Sequence, residues 1–562
     1  MKNIFFFVIL IAFTSKSYAQ QWDWARKGDG VYCDHYGVCT DANGNVYITG
    51  GFFGNPSITF GNFTLTSNGQ GDIFLVKYDK NGTVLWAKSY GGSFDDIAHS
   101  VTTDAAGNVY ITGYYSSSSI TFGNTTFTKN NNYCTTTFVL KHDTNGNLIW
   151  ARSQRPTTCS QTYGIATDAN ANVYITGKCD GTITFDTVTI NFPHWSDFFL
   201  MKYDSSGNAL WGRGGGGGGG YNDCAYSTTT DQSGNVLVTG VFRDTISIGN
   251  YTFQASPFNL EDIFIAKYSP NGNVLWAKWY GGKYYDYGMG IKTDFNGNVF
   301  ITGSFYSPSI NFGNIVLTNT DTTTAPNTYS KLVNADIFLA KLDANGNELW
   351  AKNFGGKKMD MGEKIGIDFL GNVYLTGEFE DSTIAFGNFI LTNRSDSNCY
   401  WGNDILLTKF DQNGNIIWAK SVGGRSEDFG SDICVDLNGV YIAGYSGSPT
   451  ICFGNDTLTS NSSKVYVAKL FNRLGGTTTE IQEQEINNNI NIFPNPTTGK
   501  FNIESSENIS SIEITNLLGE KVFTSTIDHQ RSTIDLSFQP KGIYFVEMIS
   551  DDIRQTRKII IE

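Results

Sequence analysis

Three short motifs recur in fixed order along most of this chain, and that recurrence restricts the fold more than any other property. The tripeptide ITG or a close variant begins at Ile48, Ile111, Ile175, Val238, Ile301, Leu375 and Ile442, a period of about 63 residues with two longer units. Each copy is followed by a segment like ITFGN, at Ile58, Ile120, Ile183, Ile246, Ile310, Ile384 and Ile451. An alternating run like DIFLVKYD comes next, beginning at Asp72, Thr137, Asp197, Asp262, Asp336, Asp404 and Lys464. Units of this kind bury their apolar faces by stacking on one another.

Within a unit the alternation of β-branched and aromatic residues gives four strands. In the second unit these are DIAHSVTTD, NVYITGYY, TFVLKHD and NLIWARSQ, with DAAGN and DTNGN as the hairpin turns between the first and last pairs. Asp opens such a turn by bonding its own backbone two residues on, and Gly accepts the positive φ that closes it. The longer connection between the second and third strands carries the ITFGN segment, expected as a small ribbon. Few charged residues (16%), many aromatics (14%) and 62 Gly against 11 Pro agree with an all-β chain rich in tight turns.

Two architectures fit: a closed β-propeller or an open solenoid with capped ends. The fragment QWDWARKGDG (Gln21 to Gly30) favours the ring. It has the form of a fourth strand with no unit before it, whereas the seventh unit ends at KVYVAKLF (Phe471) with no fourth strand after it. Pairing the two removes both exposed edges together. The expectation is therefore a seven-bladed β-propeller over 20–471, closed by the N-terminal strand. The DxxGNVYITG, ITFGN and DIFLxKYDxNGNxLWAK segments resemble the bacterial β-propeller repeat family labelled SBBP, a resemblance that implies a fold and no particular activity.

The ends read differently. Residues 1–19, with Lys2, an apolar run from Ile4 to Phe13 and the ending SYA, read as a secretory signal. No later stretch reaches the roughly 18 apolar residues of a membrane span. Residues 472–488 read as a linker. Residues 489–562 alternate in short strands between Pro, Gly and Asn turns and are expected as a small immunoglobulin-like β-sandwich. The FPNPTTGKF opening and the KGIYFV and RKIIIE segments of this tail resemble the type A sorting domain of the type IX secretion system of Bacteroidetes. That resemblance implies the type IX machinery as a partner and a secreted or outer-membrane cell-surface location.

Residues present in every unit are explained by the scaffold, so specificity is sought where units differ. The seven fourth-strand Trp (Trp24, Trp86, Trp150, Trp211, Trp276, Trp350, Trp418) are expected to pack between units. Asp96, Asp223, Asp286, Asp360 and Asp428 open the first strands of five units, with Ser160 and Cys33 in the other two. They either cap the preceding Gly-Gly turn or form an acidic ring around a channel mouth able to take a cation such as calcium. Trp195, Trp279, Tyr284, Tyr285, Tyr287, Tyr400 and Trp401 lie outside the repeated pattern and are the candidate ligand-binding aromatics, for a glycan or a protein.

The nine Cys stand in the exported part, where disulfides are permitted. Spacing across neighbouring units pairs Cys134 with Cys159, Cys179 with Cys224, and Cys33 with Cys452, while Cys39 and Cys434 take equivalent places on neighbouring strands and Cys399 is left over. No calcium loop of the EF-hand type is present, the glycine run Arg213 to Asp223 lacks a phosphate-binding Lys, and the propeller's four His (His35, His99, His142, His194) show no metal-ligand spacing. No nucleophile motif appears. A net charge of -14 disfavours nucleic acid. The expectation is a non-catalytic binding or adhesion module without a cofactor, with a structural surface repeat, or less readily a hydrolase or lyase, as the alternative.

Overall fold

The computed structural model describes residues 21–561 except 30–35, 55, 130–133, 156–157, 193–195, 218–222, 257–259, 322–333, 396–401, 472–489, 496, 517–520, 541 and 551–552. Every regular element among the described residues is a β-strand. The chain divides into two bodies, Met1–Arg473 and Leu474–Glu562. The signal and the linker fall outside the described residues.

The first body contains six antiparallel four-stranded sheets and one of six strands, in which the four strands of a seventh unit are extended by the ribbon Ser57–Phe60 and Phe63–Thr66 of unit 1. In unit 2 the strands Asp96–Thr103, Val109–Tyr115, Thr136–His142 and Leu148–Ser153 pair in chain order. The turn chemistry fixes their register. Asp104 Oδ1 accepts the backbone N–H of Ala106 and Asn108 at 3.0 and 2.9 Å, while Oδ2 accepts from Asn108 Nδ2 and the Tyr110 hydroxyl, both at 2.8 Å. Gly107 completes the turn at φ 79°. Each ITFGN-type segment forms a two-stranded ribbon, Ser119–Phe122 with Thr125–Thr128 in unit 2.

Adjacent sheets are joined by the same parts at each step. The indole of Trp86 donates from Nε1 to Thr144 O in the next unit at 3.2 Å, and Lys77 Nζ donates to that same carbonyl at 2.9 Å. Trp150, Trp211, Trp276 and Trp350 repeat the contact. The first strands of successive units touch side by side, and the first strand of unit 7 touches that of unit 1. Thr103 Oγ1 donates to Thr40 O at 2.7 Å, and Thr167, Thr230 and Thr293 continue this ladder from unit to unit. Apolar side chains fill the space between sheets; the cluster between units 7 and 1 includes Trp24, Tyr36, Val38, Ile48, Phe74, Tyr441 and Val467.

The seventh sheet runs Asp428–Val435, Val440–Ser446, Lys464–Leu470 and then Trp22–Asp29, so its fourth strand comes from the start of the chain. Trp24 pairs with Lys469 and Ala25 with Ala468. Trp24 Nε1 then donates to Lys80 O of unit 1 at 3.1 Å, as the other indoles do to their next unit. Trp418 differs. Its buried Nε1 meets no acceptor among the described residues, because the third and fourth strands of unit 7 are not joined by a hairpin whose carbonyl could receive it.

In the second body Ile490–Phe493, Lys500–Asn516, Lys521–Asp535, Gly542–Ser550 and Ile553–Ile561 form one hydrogen-bonded set of five strands. Phe501, Ile503, Ile512, Ile514, Val546 and Ile559 are buried at its core.

Candidate functional site

The first strands of all seven units border one axial cavity of about 320 Å³. Their shared register contains one irregularity. In units 2 to 7 the pairing with the second strand slips by one residue, between Ala98 and Ser100 and at the matching places downstream. A bulge of this kind re-aims the extra residue and releases it from the pairing pattern. That residue is His99, Tyr163, Tyr226, Met289, Glu363 or Ser431 in turn, different chemistry in most units on an otherwise repeated frame.

Units 2 to 4 carry the aromatic half. His99 stacks on Tyr163 with centroids 4.9 Å apart and planes at 17°, and meets Tyr114 edge-on at 5.2 Å. Its Nδ1 lies 2.7 Å from Thr162 O, so Nδ1 carries the proton and donates. Tyr163 meets Tyr226 edge-on at 5.4 Å and donates its hydroxyl to Gln161 Oε1 at 2.6 Å. In unit 5, Tyr287 donates to Glu261 Oε2 at 2.8 Å.

Units 5 to 7 carry the charged half. Lys292 and Lys364 border the cavity with Asp432. Lys364 Nζ donates to Met289 O, and Asp432 Oδ2 accepts from Val38 N at 2.8 Å. Burial pulls the Lys364 ammonium down, with Glu363 and Asp432 opposing the fall. Burial pushes the Glu363 and Glu378 carboxyls up, and for Glu378 the neighbouring Glu363 adds to the rise. One oxygen of Glu378 has no hydrogen-bond partner among the described residues.

The aromatics singled out from the sequence are dispersed. Trp195, Tyr400 and Trp401 lie outside the described residues. Trp279 stands on the fourth strand of unit 4, far across the sheet from the cavity, edge-on to Phe242 at 6.4 Å. It therefore belongs to an outer strand and not to a connection. Tyr284 is held by its backbone N–H to Ser307 Oγ at 2.8 Å, with Lys283 Nζ over its ring. Tyr287 lies on the first strand of unit 5, Asp286–Thr293, and Tyr285, just before that strand, stacks on it at 6.2 Å and 2°.

The five aspartates sit in separate caps. Asp96 Oδ2 accepts from Gly92 N and Ser117 Oγ, both at 2.7 Å, and Oδ1 from Ser116 N and Ser117 N. Asp286, Asp360 and Asp428 accept from Gly282, Gly356 and Gly424 in the same way, and Asp223 from Arg243 N at 2.9 Å. Their carboxylates accept from nearby backbone N–H groups, and those of Asp96, Asp286 and Asp428 also from the hydroxyls of Ser117, Ser307 and Ser448. Among the described residues no three His, Cys, Asp or Glu side chains gather as a metal site. Of the glycine run, Gly214 and Gly215 end the fourth strand of unit 3 and Gly217 packs on a ribbon, where a Cβ would stand 1.6 Å from Thr245 O; 218–222 lie outside the described residues.

Cys134 and Cys159 form a disulfide. Cys179 and Cys224 do not pair; both are buried thiols. The spacing argument equated positions that differ, since Cys179 ends a second strand, opposite Asp197, whereas Cys134 precedes a third strand. Cys33 and Cys399 lie outside the described residues, and Cys452 is exposed with Sγ 3.7 Å from Thr457 Oγ1.

The bulge residues were missed in the sequence because their variation resembles loose conservation of a strand. The available signal was position: the third residue after Asp96, Ser160, Asp223, Asp286, Asp360 and Asp428 changes type from unit to unit.

Taken with its tail, the chain is an all-β repeat protein of the exported class. Residues 491–562 match the secretion system C-terminal sorting domain, which marks the chain as secreted or cell-surface and brings the type IX secretion machinery as its partner. No helix among the described residues is long and apolar enough to cross a membrane. An uncharacterized WD repeat-containing protein of Acanthamoeba polyphaga mimivirus is 24% identical, over 77% of this chain and 37% of its own length. The chain thus spans little more than a third of that relative. Similar solved structures include the Neurospora crassa Pan2 WD40 domain (7% identity, 81% of this chain and 98% of that one, TM-score 0.37). Another is PorZ, a surface component of the type IX secretion system of Porphyromonas gingivalis (10% identity, 95% and 82%, TM-score 0.20).

Proposed function

We propose that the chain is an exported seven-bladed β-propeller of SBBP type that binds an extracellular glycan at its axial cavity, with an immunoglobulin-like sandwich as its sorting tail. The cyclic contact of the seven first strands and the pairing of Trp22–Asp29 with Lys464–Leu470 support a closed ring. The observation that carries the ligand reading is the His99, Tyr163, Tyr226 run on a bulge position that differs among units. Flat aromatic faces beside hydroxyl and carboxylate groups suit a sugar ring, which has an apolar face and a polar rim. Binding without turnover is the reading adopted.

The test is a glycan array and a peptide array probed with the mature full-length protein and with Tyr163→Ala and Tyr226→Ala variants. A glycan hit weakened at least tenfold by either variant supports the proposal. Peptide hits alone would move the ligand to protein, and silence on both arrays would favour a structural surface repeat.

A further inference from the structure

Two thiols meet where the last sheet adjoins the first. Cys39 lies on the first strand of unit 1 and Cys434 on the first strand of unit 7, each two residues before a turn aspartate, Asp41 and Asp436. These strands touch. Two contacts fix how they lie: Asp432 Oδ2 accepts from Val38 N at 2.8 Å, and Cys434 Sγ stands 3.5 Å from Thr40 Oγ1 across 394 positions of sequence. Cys39 stands between Val38 and Thr40 in the chain. Cys434 also packs against the apolar cluster that contains Cys39, and both residues border the axial cavity. The other five units carry Thr102, Ala166, Thr229, Lys292 and Gly366 at this place, so paired thiols occur only at the seam.

In the structure both are unbonded. We propose that Cys39 and Cys434 form a disulfide in the exported protein, fastening unit 7 to unit 1 from the inner side. The compartment permits it, since the sorting tail directs the chain outside the reducing cytoplasm. The step is thiol–disulfide exchange with a disulfide-bearing oxidant. One Cys thiolate attacks the oxidant's disulfide and releases one of its sulfurs as a thiolate; the second Cys thiolate then displaces the other. The oxidant leaves as a dithiol, having gained the two electrons and two protons that the cysteines lose. Burial holds both thiols in the protonated form once the seam is packed, which assigns the exchange to the interval before packing is complete. The inference is independent of any ligand in the cavity.

The experiment is peptide mapping of the full-length exported protein, alkylated in denaturant without reductant. The peptides that carry Cys39 and Cys434 are expected to be joined and to separate on reduction. Recovery of both as alkylated thiols, or of either joined to a different cysteine, would overturn the proposal. A second measurement uses a Cys134→Ser, Cys159→Ser variant, which lacks the disulfide seen among the described residues, with a triple variant that adds Cys39→Ser as the control whose melt reductant should leave unmoved. Reductant is expected to lower the melting temperature of the double variant by several degrees, and an unmoved melt there would show that no seam disulfide supports the fold.

Discussion

Trp24 at the start of the chain donates its indole N–H to the carbonyl oxygen of Lys80 at 3.1 Å, the same bond that five other units make to their successors. Trp418 has the same ring in the same seat with no acceptor among the described residues. The two are 4% and 9% exposed, so they differ chiefly in that bond. Trp24→Phe is expected to destabilise the protein by about 1 kcal/mol more than Trp418→Phe, the net worth of one hydrogen bond. Urea unfolding of the two variants measures it, and equal losses would remove the bond from the account.

Gly82 serves this indole twice. Its φ is 79°, and a Cβ there would stand 2.8 Å from the Trp24 ring. Gly181 has a similar φ of 70° with open space around it. Gly181→Ala is expected to cost about 1 kcal/mol from backbone strain alone, and Gly82→Ala clearly more. Thermal melts of both variants separate strain from crowding.

Buried carboxyls set the direction of the pH response. Burial pushes Asp96 up to about 6, Asp286 and Asp404 to about 7, and Asp223 and Asp262 to about 8; the Asp286 carboxylate adds to the rise at Asp262. Each folded value lies above the unfolded value of about 3.9. The fold therefore binds more protons than the unfolded chain in the range between, and these groups' contribution to stability is lost as pH rises through 6 to 8. Turn aspartates such as Asp104 and Asp231 are shifted down by hydrogen bonds from Asn108, Tyr110 and Asn235 against the opposing pull of burial, and their contribution is lost in acid below about 4. The melting temperature is expected to be several degrees higher at pH 5 than at pH 8. A maximum at pH 8 would contradict the carboxyl environments.

Asp96 separates capping from cation binding. Asp96→Ala removes the acceptor of four hydrogen bonds, an expected loss of about 2–4 kcal/mol, because charged acceptors count more than neutral ones. Asp96→Asn should lose less. Melts of the wild type with calcium and with a chelator are expected to superimpose, and a calcium-dependent rise would restore the cation reading.

The scaffold was readable because one side-chain pattern had to satisfy seven copies of the same environment. Trp24 could be assigned to the last sheet from its likeness to Trp86 and Trp150. The bulge residues carry no such redundancy. His99, Tyr163 and Glu363 share a position and no chemistry, and only the register slip shows that they are re-aimed. For the aspartates the sequence offered two readings, a cap on the Gly-Gly turn or a ring; Gly92 N, four residues before Asp96, fits the cap, whereas Ser117 Oγ, 21 residues on, could not be read from local spacing. Cys179 failed as a disulfide partner because a shift of a few residues in a connection places a thiol on a strand end.

The strand Trp22–Asp29 also has a consequence in time. Ala25 accepts its place in the seventh sheet beside a ribbon residue, Asp456, 431 positions away. The entropy of closing so long a loop grows only logarithmically with its length, so the finished structure is little burdened, but the encounter is slow compared with hairpin formation. During that delay a newly exported molecule presents two raw sheet edges, one at each end of the repeat body. Each is the natural complement of the other, whether or not the two belong to one molecule. At high local concentration the expected error is therefore exchange: the opening strand of one copy completing the last sheet of its neighbour, giving swapped dimers or open chains of the kind heterologous contacts produce.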